Sequence, residues 1–388
     1  METFEAIVVG LGAHGSAAAA ALCRRGQRVL GLERFGRGEA LGSSGGWSRM
    51  IRIAHYETPA YVPLARASLD RWEALAAETG IDLLTLTPGL YAGPAQSGVV
   101  AGSLAAVRAG AVGHEILDAD AIRARWPVFH PADDTVAVLD TDAGLLRADR
   151  AIEAHLVVAE RLGAELRFET RAVDWRPAAG GGFEVGTADG TVVGAERLVL
   201  AAGPWTPWFV PDLGLPLVVE RQPVQWFQPA AGPSAVGSLG LDDLPIWLWG
   251  TESGMFYGFP WDAERGLKIA LHHGGTTGDP DALVRAVGPQ DEAVARAFVR
   301  RTMPAMDGPV SASTVCLYTN APDDEFVIDR HPAAPGVAFA SACSGHGFKF
   351  APIVGEILAD LVIDGRTDWP VDAFRADRFG RPEEDATE

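Results

Sequence analysis

Cysteine is scarce in this sequence, which contains three cysteines in 388 residues. Cys23, Cys316 and Cys343 stand far apart, so they form neither a disulfide framework nor the paired CxxC spacing of a metal site. The metal-binding patterns HxH and HExxH are also missing, as is the GxSxG motif of a serine nucleophile. These absences argue against a disulfide-rich secreted domain, and we predict that no metal binds.

Long apolar runs are absent as well. No stretch approaches the roughly 18 consecutive apolar residues of a transmembrane helix, which predicts that nothing spans a membrane. The first residues, METFEAIVVG, enter a β-type run without the basic segment and cleavage site of a signal peptide. The last residues, EEDATE, are not a peroxisomal address. Together with the few cysteines, these features predict a cytoplasmic protein.

Basic residues are few relative to acidic ones: the chain has 32 Lys and Arg residues and 51 Asp and Glu residues, which gives a net charge of −19. This balance argues against binding to nucleic acid or to an anionic membrane surface. It also means that an anionic substrate must be held by local cations. With 48% hydrophobic and 21% charged residues in a chain of this length, the composition is that of a globular protein with two domains.

The first forty residues contain a βαβ unit: the apolar run EAIVVG, the Ala-rich helical segment AHGSAAAAALCRRG, and a second strand RVLGLE. Between the first strand and the helix, Gly10, Gly12 and Gly15 have the GxGxxG spacing, and Glu33 ends the second strand. These glycines permit a tight turn, close approach of a pyrophosphate and close helix packing, and Glu33 can accept hydrogen bonds from a ribose. The unit therefore predicts a dinucleotide site at the start of the helix.

Nucleotide-type elements recur later in the chain, on both sides of a β-rich block. The strand TVVGAERLVLAAG ends in Ala202 and Gly203, small residues that suit a second close approach to a nucleotide. Residues 216–320 are β-rich, and a helix is predicted at 351–364. We predict a mixed α/β fold in which a Rossmann-like nucleotide-binding domain, residues 1–85, 141–215 and 321–388, is interleaved with a β-rich substrate domain, residues 86–140 and 216–320.

Three polar clusters interrupt apolar surroundings. In GSSGGWSRMIRIAHYE, a loop with Ser43 precedes Arg49 and Arg52, which suits a carboxylate or phosphate site, although arginines at helical spacing are as often a solvated helix face. Lys268 lies within the apolar run GLKIALHH, and Lys349 lies between two phenylalanines in SGHGFKF. A buried ammonium is costly, so both lysines indicate function unless alternation or snorkelling brings them to solvent.

Cys316, in the β-type run STVCLYT, has two interpretations. A lone cysteine is most often a small buried hydrophobe. The segments quoted so far nevertheless resemble, over nearly the whole chain, the monomeric sarcosine oxidase and N-methyltryptophan oxidase family of the D-amino-acid-oxidase-like flavoproteins. The similarity is densest in VVGLGAHG, SRMIRIAHYE, FYGFP with GLKIALHH, VCLYT with DDEFVID, and SGHGFKF.

The resemblance implies FAD, attached covalently through Cys316, and a D-amino-acid-oxidase-like fold. It implies these cofactor-binding residues: Gly10, Gly12, Gly15, Glu33, Ser43, Arg49, Ala202, Gly203, Cys316, Gly347 and Lys349. The catalytic residues it implies are Lys268, Arg49, His272 and Tyr318. The substrate-binding residues it implies are Arg52, Lys349, Tyr257, Leu248 and Gly345.

The resemblance also implies a reaction, the oxidation by O2 of a secondary amine that carries a carboxylate. An N-methyl amino acid would yield formaldehyde, the primary amino acid and H2O2, with Arg52 and Lys349 on the carboxylate and Lys268 beside the reducing oxygen. We expect a monomer. Two alternatives stay open: a related flavin oxidase or dehydrogenase of D-amino or cyclic imino acids, and a non-catalytic FAD- or NAD-binding subunit.

Three positions depart from the sarcosine oxidase pattern. Gly45 replaces a histidine, His55 replaces a tyrosine beside Glu57, and Leu248 replaces a methionine of the cavity wall. These changes leave the implied chemistry intact. They predict a substrate preference that differs from that of a strict sarcosine oxidase.

Overall fold

The computed structural model describes residues 1–39, 41–110, 112–232 and 239–380. The strands are β1 (Thr3–Val9), β2 (Val29–Leu32), β3 (Ser48–Ile51), β4 (Leu84–Leu86), β5 (Gly89–Pro94), β6 (His114–Asp118), β7 (Thr135–Asp140), β8 (Gly144–Arg147), β9 (Glu165–Arg167), β10 (Ala172–Pro177), β11 (Phe183–Thr187), β12 (Val192–Leu200), β13 (Val218–Phe227), β14 (Ile246–Thr251), β15 (Gly254–Asp262), β16 (Gly266–His272), β17 (Val310–Asn320), β18 (Val327–His331) and β19 (Ala334–Ser341). The α-helices are α1 (Ala13–Arg24), α2 (Val62–Thr79), α3 (Gly98–Gly110), α4 (Ala119–Arg125), α5 (Ala148–Arg161), α6 (Thr206–Phe209), α7 (Pro289–Thr302) and α8 (Ala351–Ile363).

The first sheet contains the predicted βαβ unit. Strands β9, β2, β1, β12 and β19 lie side by side in parallel, and α1 connects β1 to β2. Strands β10, β11 and β18 add antiparallel edges to this sheet. The residues of β2 and most of those of β1 are buried, which is why these strands are continuously apolar rather than alternating.

Helices α1, α5 and α8 cover one side of the first sheet. The contact of α1 with α8 is close, because a Cβ added at Gly355 of α8 would lie 2.5 Å from the carbonyl carbon of Ala17 in α1. The alanine run of α1 is therefore a packing surface, since small side chains let the two helix backbones approach. Among the helices of the described residues, none is long and apolar enough to cross a membrane.

The second sheet has the strand order β17-β13-β16-β15-β14-β5-β7-β6. Helix α7 covers one of its faces, where the ring of Phe298 stacks on Trp247 and Phe256 at centroid distances of 5.3 and 4.4 Å. A small third sheet, β3-β8-β4, carries Arg49. Several of the chain's tryptophans are thus core residues of the β-rich part.

The two large sheets draw their strands from different parts of the chain. Strands of the first sheet come from residues 3–32, 165–200 and 327–341, and strands of the second from residues 89–140 and 218–320. On this distribution we propose the two interleaved domains given above, with a boundary near residues 85, 140, 215 and 320. The division itself stays a prediction.

Candidate active site

A cavity of about 290 Å³ lies at the carboxyl ends of β1, β12 and β19, where a parallel sheet of this type places its ligands. It extends from the β1–α1 turn to one face of the second sheet. The residues of the predicted site that line it are Gly10, Gly12, Glu33, Ser43, Arg49, Arg52, Ala202, Gly203, Leu248, Tyr257, His272, Cys316, Tyr318, Gly345, Gly347 and Lys349. Two predicted residues, Gly15 and Lys268, lie outside this lining.

The β1–α1 turn needs glycine at two of its three predicted positions. Gly10 has a φ of +87°, and a Cβ there would lie 2.5 Å from the carbonyl oxygen of Ala201. A Cβ at Gly15 would lie 1.8 Å from the carbonyl oxygen of Gly10, so this glycine serves the packing of helix on strand. The turn thereby places the start of α1, residues Ala13 and His14, on the cavity, where the Ala13 amide donates a hydrogen bond to the Ser44 hydroxyl at 3.4 Å.

Glu33 is tied to the same turn. Its carboxylate accepts hydrogen bonds from the amides of Leu11, at 2.8 Å, and Phe35, at 3.1 Å. Burial raises the pKa of Glu33, against the effect of these amide hydrogen bonds. Glu33 lines the cavity, and its contact with a ribose stays a prediction.

Two serine hydroxyls test whether the cavity fits a flavin dinucleotide. Ser43 and Ser341 line the cavity, and their buried hydroxyls have no hydrogen-bond partner among the described residues. A buried hydroxyl without a partner is costly, so both are expected to bond a ligand. With the glycine turn at one end and these hydroxyls further along, the residues present fit FAD.

One face of the second sheet collects the predicted catalytic side chains. Along β16, alternation puts Lys268 and His272 on the same face. In the antiparallel register Tyr257 pairs with Ala270 and Leu248 with Tyr257, so their side chains project on this face too. Strand β13 pairs with β16 on one side and with β17 on the other. This register places the side chains of Cys316 and Tyr318, both on β17, on the same face as Lys268. The two-residue period of the strands therefore assembles the site.

Lys268 is buried, with 1% of its surface exposed, so the solvent-facing alternative is wrong. Its ammonium donates hydrogen bonds to the carbonyl oxygens of Gly46 and Ser48, at 2.8 and 2.7 Å, and to the Ser48 hydroxyl at 3.1 Å. All three donors of the ammonium are thus satisfied. Burial, together with Arg49, lowers the pKa of Lys268 well below its usual value, whereas the three oxygen acceptors stabilise its charged form.

Cys316 lies beside Arg49 and Lys268. Its thiol donates to the carbonyl oxygen of Gly45 at 3.0 Å, and Nη2 of Arg49 lies 3.6 Å from the sulfur. A Cβ added at Gly46 would lie 3.5 Å from both the Cys316 sulfur and the Lys268 nitrogen, and 3.6 Å from Arg49. The three functional groups therefore converge on the 45–48 loop, at the edge of the cavity.

The chain has only two lysines, Lys268 and Lys349, against thirty arginines, and both lysines are buried at this site. Lys349 lies in a short 3₁₀ turn, Phe348–Phe350, at the start of α8, and its ammonium donates to the carbonyl oxygen of His346. Burial, and next Arg52, lower the pKa of Lys349. Snorkelling to solvent is excluded, because 3% of this residue is exposed.

Arg52 is buried and lines the cavity, and it is paired with Glu57. Its guanidinium donates to both carboxylate oxygens, one of them at 2.9 Å, and lies over the ring of Tyr56 at 4.6 Å. Burial opposes the charge of Glu57, but Arg52 and next His55 outweigh it, and hold the pKa of Glu57 well below its usual value. The alternative of a solvated helix face is wrong, since Arg49 lies on strand β3 and Arg52 directly after it.

His55 is fully buried behind Glu57 and does not line the cavity. Its Nδ1 lies 2.7 Å from Glu57, and its ring lies 5.2 Å from that of His346.

In the described residues, ligating atoms of His55, Glu57 and His346 lie within 4.8 Å of one another. Arg52 already occupies Glu57 and adds positive charge, which disfavours a cation here, and the absence of a metal stays a prediction. Of the residues that depart from the family pattern, Leu248 lines the cavity, whereas His55 acts on it through Glu57.

Gly345 and Gly347 let the loop after β19 approach the catalytic face. A Cβ at Gly345 would lie 2.6 Å from Cε1 of His272 and 2.8 Å from the Tyr318 ring. Nδ1 of His272 lies 3.2 Å from the Tyr318 hydroxyl. A Cβ at Gly347 would lie 1.6 Å from the carbonyl oxygen of Ala342, so this position is confined to glycine.

Asp140, at the end of β7, supports the site and was not predicted from the sequence. It is fully buried and accepts hydrogen bonds from the amides of Ile53 and Ala54, at 3.0 and 2.9 Å, and from the Tyr91 hydroxyl at 3.1 Å. It thereby fixes the segment that follows Arg52. Burial raises its pKa. No local pattern in VLDTDAG distinguishes this aspartate, because Ile53, Ala54 and Tyr91 are distant from it in the sequence.

Residues 5–361 match the family model of FAD-dependent oxidoreductases. The chain belongs to this family. Within it, a monomeric sarcosine oxidase of Streptomyces avermitilis is 42% identical over 376 residues, which cover 96% of this chain and 97% of the relative. An N-methyl-L-tryptophan oxidase of Escherichia coli is 31% identical, over 97% of this chain and 99% of the relative.

The fold of this FAD-dependent oxidoreductase is shared with the solved structure of NikD, described as an unusual amino acid oxidase. The TM-score is 0.84 at 24% sequence identity, with 97% of this chain and 98% of NikD covered. These findings confirm the predicted family, the mixed α/β fold and the dependence on FAD. The roles of the individual site residues and the covalent link stay predictions.

Proposed function

We propose that the protein is an FAD-dependent oxidase of N-methyl amino acids, which converts a secondary amine bearing a carboxylate into formaldehyde, the primary amino acid and H2O2. The observation that carries the proposal is a pair of buried cations, Arg52 and Lys349, on the cavity of a chain whose net charge is −19. Such a site selects a small anion against the overall field. The names of the relatives, monomeric sarcosine oxidase and N-methyl-L-tryptophan oxidase, support this substrate class.

The carboxylate of the substrate is held by Lys349 and Arg52. A guanidinium has five N–H donors, and the Glu57 carboxylate engages two of the nitrogens of Arg52. Arg52 therefore either turns from Glu57 to the substrate or binds both carboxylates. In either arrangement Glu57 competes with the substrate, and this competition limits affinity for the acid.

The amine must be neutral before it is oxidised. An aliphatic ammonium has a pKa of roughly 10, so deprotonation near pH 7 costs about 4 kcal/mol in water. Arg49 and the buried cations Arg52 and Lys349, which all line the cavity, lower this cost, because positive neighbours and desolvation both favour the neutral amine. When bound, FAD supplies the redox chemistry, taking up the hydride equivalent of the substrate C–H bond and passing two electrons to O2.

Lys268 serves the oxygen half of the cycle. Its ammonium is fixed by three oxygen acceptors behind Arg49 and Cys316, so its charge is oriented before O2 arrives. A preorganised charge in a dry site stabilises the negative charge that develops on O2 as it is reduced. This role makes the protein an oxidase rather than a dehydrogenase.

The proposal includes a thioether between Cys316 and FAD. The support is the position of Cys316 on the cavity, next to Arg49. The new bond joins the cysteine sulfur to a carbon of the flavin ring system. One hydrogen leaves the thiol and one leaves that carbon, and O2 takes the two electrons. We also propose a cytoplasmic monomer, and the word monomeric in the names of the relatives supports the second point.

The test is a substrate panel assayed for H2O2 and formaldehyde with the purified yellow holoenzyme. Sarcosine and N-methyl-L-alanine are expected to be good substrates, followed by bulkier N-methyl amino acids. D-Alanine and L-proline represent the related flavin oxidases and dehydrogenases. Activity confined to those two compounds would refute the proposed class, and a flavoprotein reduced by none of the panel would be a binding subunit.

A further inference from the structure

Two consecutive histidines end β16, and their rings lie unusually close together. In an extended strand, neighbouring side chains point to opposite faces of the sheet. His273 instead has a φ of +65°, and its ring centroid lies 4.1 Å from that of His272. Both rings contact the ring of Tyr318, at centroid distances of 5.5 and 5.3 Å. The left-handed backbone at His273 therefore brings its ring to the same side as that of His272.

The turn after His273 is held rigidly against β13. Gly274 has a φ of +89°, and a Cβ at Gly275 would lie 1.8 Å from the carbonyl oxygen of Arg221. A left-handed conformation costs a non-glycine residue about 1 kcal/mol or more, and it persists where the surrounding structure fixes it. The closeness of the two histidines is thus a built feature of this chain.

Glu220, on β13, orients the imidazole of His273. Its carboxylate lies 3.1 Å from Nδ1 of His273 and accepts hydrogen bonds from the Gly275 amide, at 2.7 Å, and from Asn320, at 2.6 Å. Burial opposes the charge of Glu220, but the hydrogen bond of His273 and those of Gly275 and Asn320 outweigh it and lower its pKa. The side chain of His273 is 33% exposed, whereas His272 lines the cavity.

We infer that His273, oriented by Glu220, is a positioning residue that keeps His272 neutral, because two imidazolium rings 4.1 Å apart would repel each other and, of the two rings, the Glu220 carboxylate contacts only that of His273. The inference rests on the proposed function, because it gives His272 a task toward the substrate ammonium. Burial lowers the pKa of His272, and the charge of His273 lowers it further. The other titratable groups that face these two rings are Glu220 from β13, Tyr257 from β15 and Tyr318 from β17. At longer range Arg52 and His346 lower the pKa of His272, and Glu57 raises it.

A neutral His272 serves the reaction in two ways. A proton on it would add another positive charge to a cavity that already holds Arg49, Arg52 and Lys349, and would repel the substrate ammonium. A neutral ring also accepts the proton of that ammonium. The N–H bond breaks, its electron pair stays on the amine, and the proton passes to the ring nitrogen of His272 that does not contact Tyr318.

The direct test follows the titration of His272 by NMR in holoenzyme labelled at histidine. In His273→Asn, which keeps a residue that tolerates positive φ, His272 is expected to titrate at higher pH than in wild type. His273→Lys keeps a charge and should not raise that pH. His331→Asn is the matched control, since His331 pairs with Asp212 at 3.0 Å away from the cavity. An unchanged His272 titration in His273→Asn overturns the inference, and His273→Gly replaces that variant if it does not fold.

Kinetics give a second readout. The acidic limb of kcat/KM for an N-methyl amino acid should move to higher pH in His273→Asn, with up to roughly tenfold lower kcat/KM on that limb. Adding Glu220→Gln to this variant should shift the limb no further, because Glu220 acts through His273. A further shift of similar size in the double variant would show that Glu220 does not act through His273. The NMR experiment does not require catalysis. If the titration of His272 shifts but the protein does not oxidise N-methyl amino acids, the proposed function is refuted and the inference about His273 stands.

Discussion

Lys268 is the residue that most sharply separates the two halves of the proposed cycle. Its charge is held by Gly46 and Ser48, and it does not line the cavity, so it can act on O2 without contacting the amine. We expect Lys268→Met to slow oxidation of the reduced enzyme roughly a thousandfold, since losing about 4 kcal/mol of charge stabilisation has that effect. Stopped-flow measurement of both half-reactions checks this, with anaerobic reduction expected to change far less.

The second lysine of the chain provides the control for this experiment. Lys349→Met removes an equally buried ammonium from the substrate side of the site, so it should slow reduction and spare reaction with O2. If the two variants affect the same half-reaction, the separation of roles is wrong.

Cys316 yields a test of the covalent link. Denatured protein should carry the mass of FAD on the peptide that contains Cys316, and Cys316→Ala should hold FAD without a covalent bond. The matched control is Cys343→Ala, because Cys343 lines the same cavity and is predicted to have no link. FAD that is fully extractable from the denatured wild type would show that Cys316 is only a buried thiol.

At the residue scale, much of the site could be predicted, because short segments matched a known family at specific positions. Lys268 and Lys349 were predicted from their apolar surroundings, and their number strengthens that prediction, because they are the two lysines of a chain with thirty arginines. Glu57 and Asp140 were missed for a physical reason. Their function depends on partners, Arg52 for the first and the amides of Ile53 and Ala54 for the second, that no local pattern reveals.

At the element scale, the third sheet connects the cavity to the β-rich part. Asp140 ends β7 and receives the amides that follow β3, so it fixes the backbone next to Arg52. Asp140→Asn replaces one of the two carboxylate oxygens, which accept hydrogen bonds, with an NH2 group, which donates them. A buried mismatch of this kind costs about 1–3 kcal/mol. We expect lower stability in urea unfolding together with a raised KM.

The neighbouring Asp142 is the control for that prediction, since it is partly exposed and pairs with Arg66 at the surface. Asp142→Asn should leave both the stability and KM close to wild type. Equal effects of the two substitutions would show that Asp140 has no special part in positioning Arg52.

The periodic elements were predictable, and the irregular ones were not. The helix expected at 351–364 is α8, Ala351–Ile363, and the βαβ unit has the expected order. In contrast, Arg49 and Arg52 lie three residues apart, which suggested a helix, but Arg49 belongs to the four-residue strand β3. A strand of four residues is too short to show the two-residue alternation of side chains. Its conformation is decided by its pairing with β8, which is distant in the sequence.

At the scale of the whole molecule, buried histidines make stability depend on pH. His155 is buried under α2, neither of its ring nitrogens has a partner among the described residues, and burial lowers its pKa to about 3. The unfolded chain binds a proton near pH 6.5, so stability falls as pH decreases from there toward 3. Urea unfolding at pH 7 and pH 5 should differ by about 2 kcal/mol through this residue.

His155→Leu removes this proton-linked contribution while keeping the site apolar. The loss of stability between pH 7 and pH 5 should therefore be smaller in the variant than in wild type. An equal loss in both proteins would mean that His155 is protonated as easily in the folded state as in the unfolded chain.

The net charge of −19 makes the molecule repel anions, except at the cavity, where the buried cations Arg52 and Lys349 attract them. The most direct test is anaerobic mixing of the holoenzyme with sarcosine and with sarcosine amide, monitored by loss of the flavin absorbance. The account predicts rapid bleaching by the acid, much slower bleaching by the amide, and a smaller difference in Lys349→Met. Equal rates for acid and amide in the wild type, or no bleaching by any N-methyl amino acid, would contradict it.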